Sequence, residues 1–242
     1  MDILFSVLII FLFLLSLALY FLTSRSSLAK ETLKNSETMT TTFSKLDANG
    51  IDCIKYLQST IPHKPFKLVK KERSVGARFF IINRRLEFGK SLENNTAESI
   101  IDGAHEFAHI LQSQSYWALL SVLKIGSIIP LLAIVPAIFI WGLSSHTITL
   151  AFICFIMSTA GNIPKEVDAI ISSFFLSKIY VIHKNLDEES IIQFLAFAER
   201  KIKITATWYI LNEMAFILCL TIGLIIAPML LRWILLKLIP SP

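Results

Sequence analysis

Residues 117 to 141 read WALLSVLKIGSIIPLLAIVPAIFIW, an apolar stretch in which Lys124 is the one charge. About 20 such residues in a helix cross the ~30 Å hydrocarbon core of a bilayer, so this stretch predicts a transmembrane helix. Trp117 and Trp141 bracket it as interfacial aromatics do. Residues 147 to 160 continue apolar after a short loop and predict the second limb of a membrane hairpin, tilted or lengthened by residues up to Ile163. Upstream, the uncharged run from 3 to 22 is long enough for a first span. A cleaved signal peptide is the competing reading, with Ser27-Leu28-Ala29 as its small-x-small site. Against it, the leader opens on Asp2 and its apolar run exceeds the usual ~7–15 residues. A last span covers roughly 207 to 231, with Arg232 and Lys237 beyond it. The chain therefore reads as a mainly α integral membrane protein with about four transmembrane helices.

Composition agrees. Of 242 residues, 54% are hydrophobic and 17% charged, against roughly 25% charged in a soluble domain. An ordinary soluble enzyme and a large multidomain protein are both excluded, and the spans leave room for one small soluble part. The formal charge of +5 is spread between apolar spans rather than gathered in a stripe, and no nucleic-acid motif accompanies it. The segments 23 to 115 and 162 to 206 are separated by two spans and share a side. Together they hold every Lys and Arg except Lys124, Arg232 and Lys237. By the positive-inside rule that side is the cytoplasm, at the plasma membrane. Cys53, Cys154 and Cys219 are scattered and suggest neither a disulfide framework nor a thiolate metal site. The chain divides into an N-terminal anchor (1–23), a soluble α+β part (24–115), the hairpin (116–161), a helical segment (162–206) and a C-terminal span with its tail (207–242).

Within the soluble part, Asn49-Gly50 reads as the turn that ends a helix. Residues 51 to 58 and 65 to 88 contain short β-like runs, among them Arg78-Phe-Phe-Ile-Ile-Asn83. Asn95-Thr96-Ala97-Glu98 has the form of a capping box, predicting a helix from about 96 to 113. On that helix Ile100, Ala104, Phe107 and Leu111 form one stripe facing a core, with the charged residues and both histidines off it.

The same helix carries His105-Glu106-Phe107-Ala108-His109, an H-E-x-x-H sequence. At 3.6 residues per turn the two imidazoles share a face and can hold one zinc ion, with Glu106 placed as general base. Zinc at an open site lowers the pKa of a water to about 7, and a carboxylate beside it takes up the proton. The bland alternative is a solvated helix face with two ordinary histidines. A catalytic zinc needs a third protein ligand, on the same side and near a helix start. Glu166, in Ile163-Pro164-Lys165-Glu166-Val167-Asp168-Ala169, meets both conditions; a favourable charge at a helix N-terminus is its other reading. Asp168 falls roughly opposite Glu166 on a helix, so the two do not share one ion directly.

Gly103-Ala-His-Glu-Phe-Ala-His-Ile-Leu-Gln112, followed by Tyr116 and Pro130, resembles the AAHEVGHAIQ segment of the YugP-type membrane neutral zinc metallopeptidases. Pro164-Lys-Glu-Val-Asp-Ala169 is similar to that family's PVEFDAS element, and a membrane hairpin lies between the two in both. Leu46-Asp-Ala-Asn-Gly-Ile51 and the run from Ala198 to Tyr209 extend the likeness over nearly the whole chain. Ala108 stands where the family has Gly, Lys165 where it has an apolar residue, and the family's acidic Asp-His-Tyr-Asp-Pro stretch has no counterpart around 64 to 85. The resemblance implies a zincin-like catalytic part of the gluzincin sort, hydrolysing peptide or protein substrates. It implies His105, His109 and Glu166 as ligands of one zinc ion and Glu106 as catalytic base.

Asn212 and Glu213 near the last span, and Lys124 in the second, are the intramembrane polar groups. An interfacial or Lys-paired Glu213 is the plainer reading. His63 and His183 are the candidates on the catalytic side for stabilising an oxyanion, and His146 reads as a loop residue between the hairpin limbs. The strand around Phe79 to Ile82 reads as internal, with pairing to an extended substrate as the alternative. Two rival functions are a catalytically inactive zinc-binding membrane scaffold and a transporter component built on Lys124 and Glu213. Oligomeric state is not legible.

Overall fold

The computed structural model describes Leu14, Leu17, Ala18 and residues 48–71, 76–80 and 82–238. The expected first span at 3 to 22, and the choice between anchor and signal peptide, lie outside the described residues, those three positions aside.

Asn49 opens the described soluble part. Its side chain accepts from the backbone N–H groups of Ile51 and Asp52, both at 3.0 Å, and so caps helix α1 (Gly50–Thr60). This corrects the expected helix end at Asn49-Gly50 and the β-like run at 51 to 58. Asn is as good an N-cap as a turn former, and Cys53, Ile54 and Leu57 are buried at helical rather than alternating spacing. Three strands follow: β1 (Lys67–Lys70), β2 (Arg78–Phe80) and β3 (Arg85–Phe88), in the order β1-β3-β2. β1 runs parallel to β3, with Lys67 opposite Arg85, and β2 antiparallel to it, with Phe79 opposite Leu86. β3 therefore takes the middle, and β2, expected to be internal, lies at an edge.

A 3-10 turn (Lys90–Glu93) leads to helix α2 (Ala97–Leu111). Its cap is Thr96, whose hydroxyl accepts from Ser99 N at 3.0 Å, and not the expected Asn95. Ile100, Ala104 and Phe107 are fully buried as expected, whereas Leu111 is 39% exposed. His109, expected off the core stripe, is buried because a second helix covers that face. Helices α1 and α2 cross backbone to backbone at two glycines. A Cβ on Gly103 would stand 2.4 Å from Gly50 O, and one on Gly50 would stand 2.3 Å from Ser99 O. Gly50 N also donates to the buried Ser99 hydroxyl at 2.8 Å.

Three long helices complete the described chain: α3 (Gln114–Trp141), α4 (Ser145–His183) and α5 (Glu188–Leu238). Each is long and apolar enough to cross a membrane. The expected short limb at 147 to 160 and the expected segment from 162 are one continuous helix, with Pro164 inside it rather than at its start. The interruption is tolerated beside a close crossing. A Cβ on Gly161 would stand 2.8 Å from Leu120 O and from Lys124 N, so α3 backs the helix one turn before the proline. Likewise the last span is the latter part of α5, a helix that begins at Glu188.

The chain forms two compact units. One contains Ala118–Pro164 and the chain from Trp208, with a core of Leu131, Ile134, Ile138, Ala151, Cys154 and Ile225 drawn from all three long helices. Most of its other large apolar side chains face outward, as a lipid-facing surface requires. The other contains the sheet, α1, α2 and Lys165–Thr207. Its core includes Ile54, Leu57, Leu86, Leu92, Ile100, Phe107 and Phe194.

Substituting Gly103→Ala should destabilise this second unit by about 1–3 kcal/mol, the cost of overpacking a tight contact. Unfolding of the detergent-solubilised protein, followed by tryptophan fluorescence, checks it; an unchanged midpoint contradicts the crossing.

Candidate metal centre

Helix α2 sets His105 and His109 one turn apart on one face, with ring centroids 4.7 Å from each other. Glu166 on α4 faces both: its Oε2 lies 3.3 Å from His109 Nε2 and 3.7 Å from His105 Nε2. All three ligand atoms fall within 4.8 Å of one another. A tetrahedral zinc with bonds near 2.0–2.1 Å has ligand atoms about 3.3 Å apart, so the Glu166 contacts with the two histidines are within a few tenths of an ångström of a closed coordination edge. The donor set of two imidazoles and one carboxylate is that of a catalytic zinc site with a fourth position left for water. These residues fit a zinc ion as they stand.

Each imidazole has a second contact besides Glu166. His109 Nδ1 is 3.0 Å from Gln112 Oε1, which accepts a hydrogen bond from it and leaves Nε2 facing Glu166. The His105 ring hydrogen-bonds the backbone carbonyl of Ala169 on α4. Gln112 in turn donates through Nε2 to Lys165 O at 2.7 Å and to Asp168 Oδ2 at 2.8 Å. One amide thus joins the end of α2 to the turn of α4 that carries Glu166, and Asp168 acts on the site through it. Trp117 packs its ring 5.7 Å from that of His109 and carries the Lys165 ammonium 4.7 Å from its centroid. On the same face of α2, nearer its start, Lys201 of α5 is buried against Asp102 at 2.8 Å and Glu98 at 3.1 Å, close enough for its charge to act on His105.

Glu106 reaches the sheet and lies close enough to His109 and Glu166 for their charges to act on it. The backbone N–H of Phe79 on β2 donates to its carboxylate, while Oε2 is buried with no partner. Burial pushes its pKa up to about 7, with Glu166 and Asp102 adding to the shift and His109 opposing it. Burial, then the charge of His109, lowers His105 to about 4. Burial also disfavours charge on His109, but the hydrogen bond and charge of Glu166 outweigh it and raise its pKa.

All four residues expected at the site are therefore brought together. The other candidates are not. His63 bonds Ile61 O through Nδ1 and packs edge-on to Phe107, and His183 stacks on Tyr56 at 4.1 Å. His146 lies in the first turn of α4 rather than in a loop. Among the described residues no ion pair joins Lys124 to Glu213. Sequence reasoning missed Gln112 as the link and took Trp117 only as an interfacial aromatic. The signal available for Gln112 was its place one turn beyond His109, on the ligand face.

Comparison of the chain with protein-family models, with curated proteins and with solved structures finds no match in any of the three.

Two outcomes follow from this geometry. Gln112→Ala should weaken zinc binding by about 10–100-fold, the usual cost of losing a metal ligand's outer hydrogen bond; competition with a fluorescent chelator measures it. Glu106 keeps its proton up to about pH 7 when folded and to 4.5 in the unfolded chain, so its contribution to stability is lost as pH rises through 7. In metal-free protein, Glu106→Gln should raise the thermal midpoint more at about pH 8.5 than at about pH 5. An equal shift at both would contradict the burial of that charge.

Proposed function

We propose that this protein is a membrane-embedded zinc metallopeptidase of the YugP type, with its hydrolytic site on the cytoplasmic face of the plasma membrane. The observation that carries the reading is the convergence of His105, His109 and Glu166 from two helices, with the unpartnered carboxylate oxygen of Glu106 buried beside them. A span at 3 to 22 would complete a four-helix membrane part.

His105, His109 and Glu166 would hold one zinc ion, which supplies a water acidified to a pKa of about 7 and polarises a carbonyl oxygen. The chain's own groups do the rest. Glu106 takes the proton of the attacking water on its free oxygen, while the Phe79 N–H keeps the carboxylate from rotating away. A bound zinc ion would favour the ionised carboxylate that takes that proton, which Glu106 then gives to the departing amine. Gln112, fixed by Lys165 O and Asp168, holds the His109 ring and keeps α2 against α4. The edge position of β2 beside Glu106 suits a peptide bound in extended form.

The deciding experiment is zinc content by mass spectrometry on detergent-purified protein, beside His109→Ala, Glu166→Ala and Glu106→Gln. About one zinc per chain is expected in the wild type, much reduced in the first two variants. Glu106→Gln should keep its zinc yet lose peptide hydrolysis by at least about 100-fold. A wild type without zinc, or a Glu106→Gln variant that hydrolyses at the wild-type rate, would overturn the reading.

A further inference from the structure

Beyond the end of α2 lies a cavity of about 350 Å³ whose lining includes His63, Lys64, Arg84, Gln112, Ser113 and Gln114. It has room for a side chain rather than one water, whose share of liquid volume is ~30 Å³. No Asp or Glu lines it. Among the described residues no ion pair engages Lys64 or Arg84, although the surrounding sheet pairs Lys70 with Glu93 and Lys71 with Glu87. The carboxylate tied to the lining is Asp168, and both its position and its contact with Gln112 belong to the metal centre.

Arg84 is fixed in an uncommon way. It sits at φ +44, in the left-handed region where a non-glycine residue costs energy. Its side chain reaches back to donate from Nε to Pro65 O and from Nη2 to Lys64 O, both at 2.9 Å. Two of the five guanidinium N–H donors are thus spent holding the 64–65 segment, and three remain. His63 is held by Ile61 O and by the rings of Phe66 and Phe107. The Arg84 guanidinium and the backbone of residues 64 and 65 are therefore fixed to each other, with the exposed Lys64 side chain beside them. Gln112 is shared: it lines the cavity and also bonds His109, which puts the cavity one side chain from the metal-binding histidines.

We infer that this cavity is a substrate subsite for a carboxylate, so that the peptide carries a Glu or Asp side chain a short distance from the scissile bond. This rests on the peptidase reading and names its substrate class. The acid would be met by the Lys64 ammonium and the unspent donors of Arg84, as charge-assisted hydrogen bonds. A basic residue in the same place would face two like charges.

The test uses the full chain, zinc-loaded, in detergent, carrying Glu106→Gln so that peptides bind without turnover. Fluorescein-labelled peptides of about ten residues, differing only in a central Glu, Gln or Lys, are titrated by anisotropy. The Glu peptide should bind about tenfold more tightly than the Gln peptide, and the Lys peptide most weakly. Lys64→Gln and Arg84→Gln should each remove most of that preference with zinc content unchanged; Lys64 is exposed, so its substitution does not threaten the fold. Equal affinities, no binding of the Glu peptide, or a preference that survives both substitutions overturns the assignment. Displacement of the peptide by short-chain phosphatidylglycerol at lower concentration than by its unlabelled copy would also overturn it, making the cavity a headgroup site. Cleavage of the same peptides by the wild type is read separately: cleavage without acid preference sinks the subsite alone, and acid preference without cleavage sinks the peptidase alone.

Discussion

The amide of Gln112 is the constraint on which the metal centre depends. Two histidines a turn apart on one helix define only one edge of a coordination polyhedron. The third corner belongs to Glu166, far along the chain on α4. Gln112 closes that separation by accepting from His109 with its oxygen and donating to Lys165 O and Asp168 with its nitrogen. A side chain that both accepts and donates in one plane is needed here, and Asn would be a methylene too short. Every bond it makes is to a group in or beside the ligand set, so an error of half an ångström there is passed directly to the ligand atoms.

Around that clasp, α2 is held by several different kinds of interaction. Glycine contact with α1 sets the depth of the crossing, because at Gly103 only hydrogen fits. The ion pairs of Lys201 with Glu98 and Asp102 tie the first turns of its ligand face to α5. The Phe79 N–H meets it from the sheet at Glu106. Glu98 thus serves a partner distant in sequence rather than the capping box its spacing suggests. A buried Lys with two carboxylates is costly to desolvate and strongly penalised if one partner is removed, which makes it a device for fixing position rather than for adding stability.

The long helices have a double character. α4 and α5 each contain a stretch with the hydropathy of a membrane span and a stretch that carries residues of the other unit, Glu166 and Lys201 among them. Pro164 removes one backbone donor from α4 and leaves the helix intact.

The sequence by itself determined the long apolar helices and which helical side chains could hold a metal ion. Membrane spans are legible because a bilayer demands long uninterrupted apolarity, and His105, Glu106 and His109 because metal ligation on a helix has a fixed spacing. Glu166 was legible only as a candidate, since nothing local distinguishes a ligand from a helix-terminal charge. The helix at Gly50–Thr60 was misread because Asn-Gly serves turns and helix starts alike, and its cap and the Ser99 contact are settled by neighbours. What only the tertiary structure decided is which distant groups meet: Gln112 with Asp168, Phe79 with Glu106, Lys201 with Asp102, Arg84 with the 64–65 segment. These contacts have no period, because they arise between elements whose relative placement follows from packing the whole core, and no local pattern of residues encodes it.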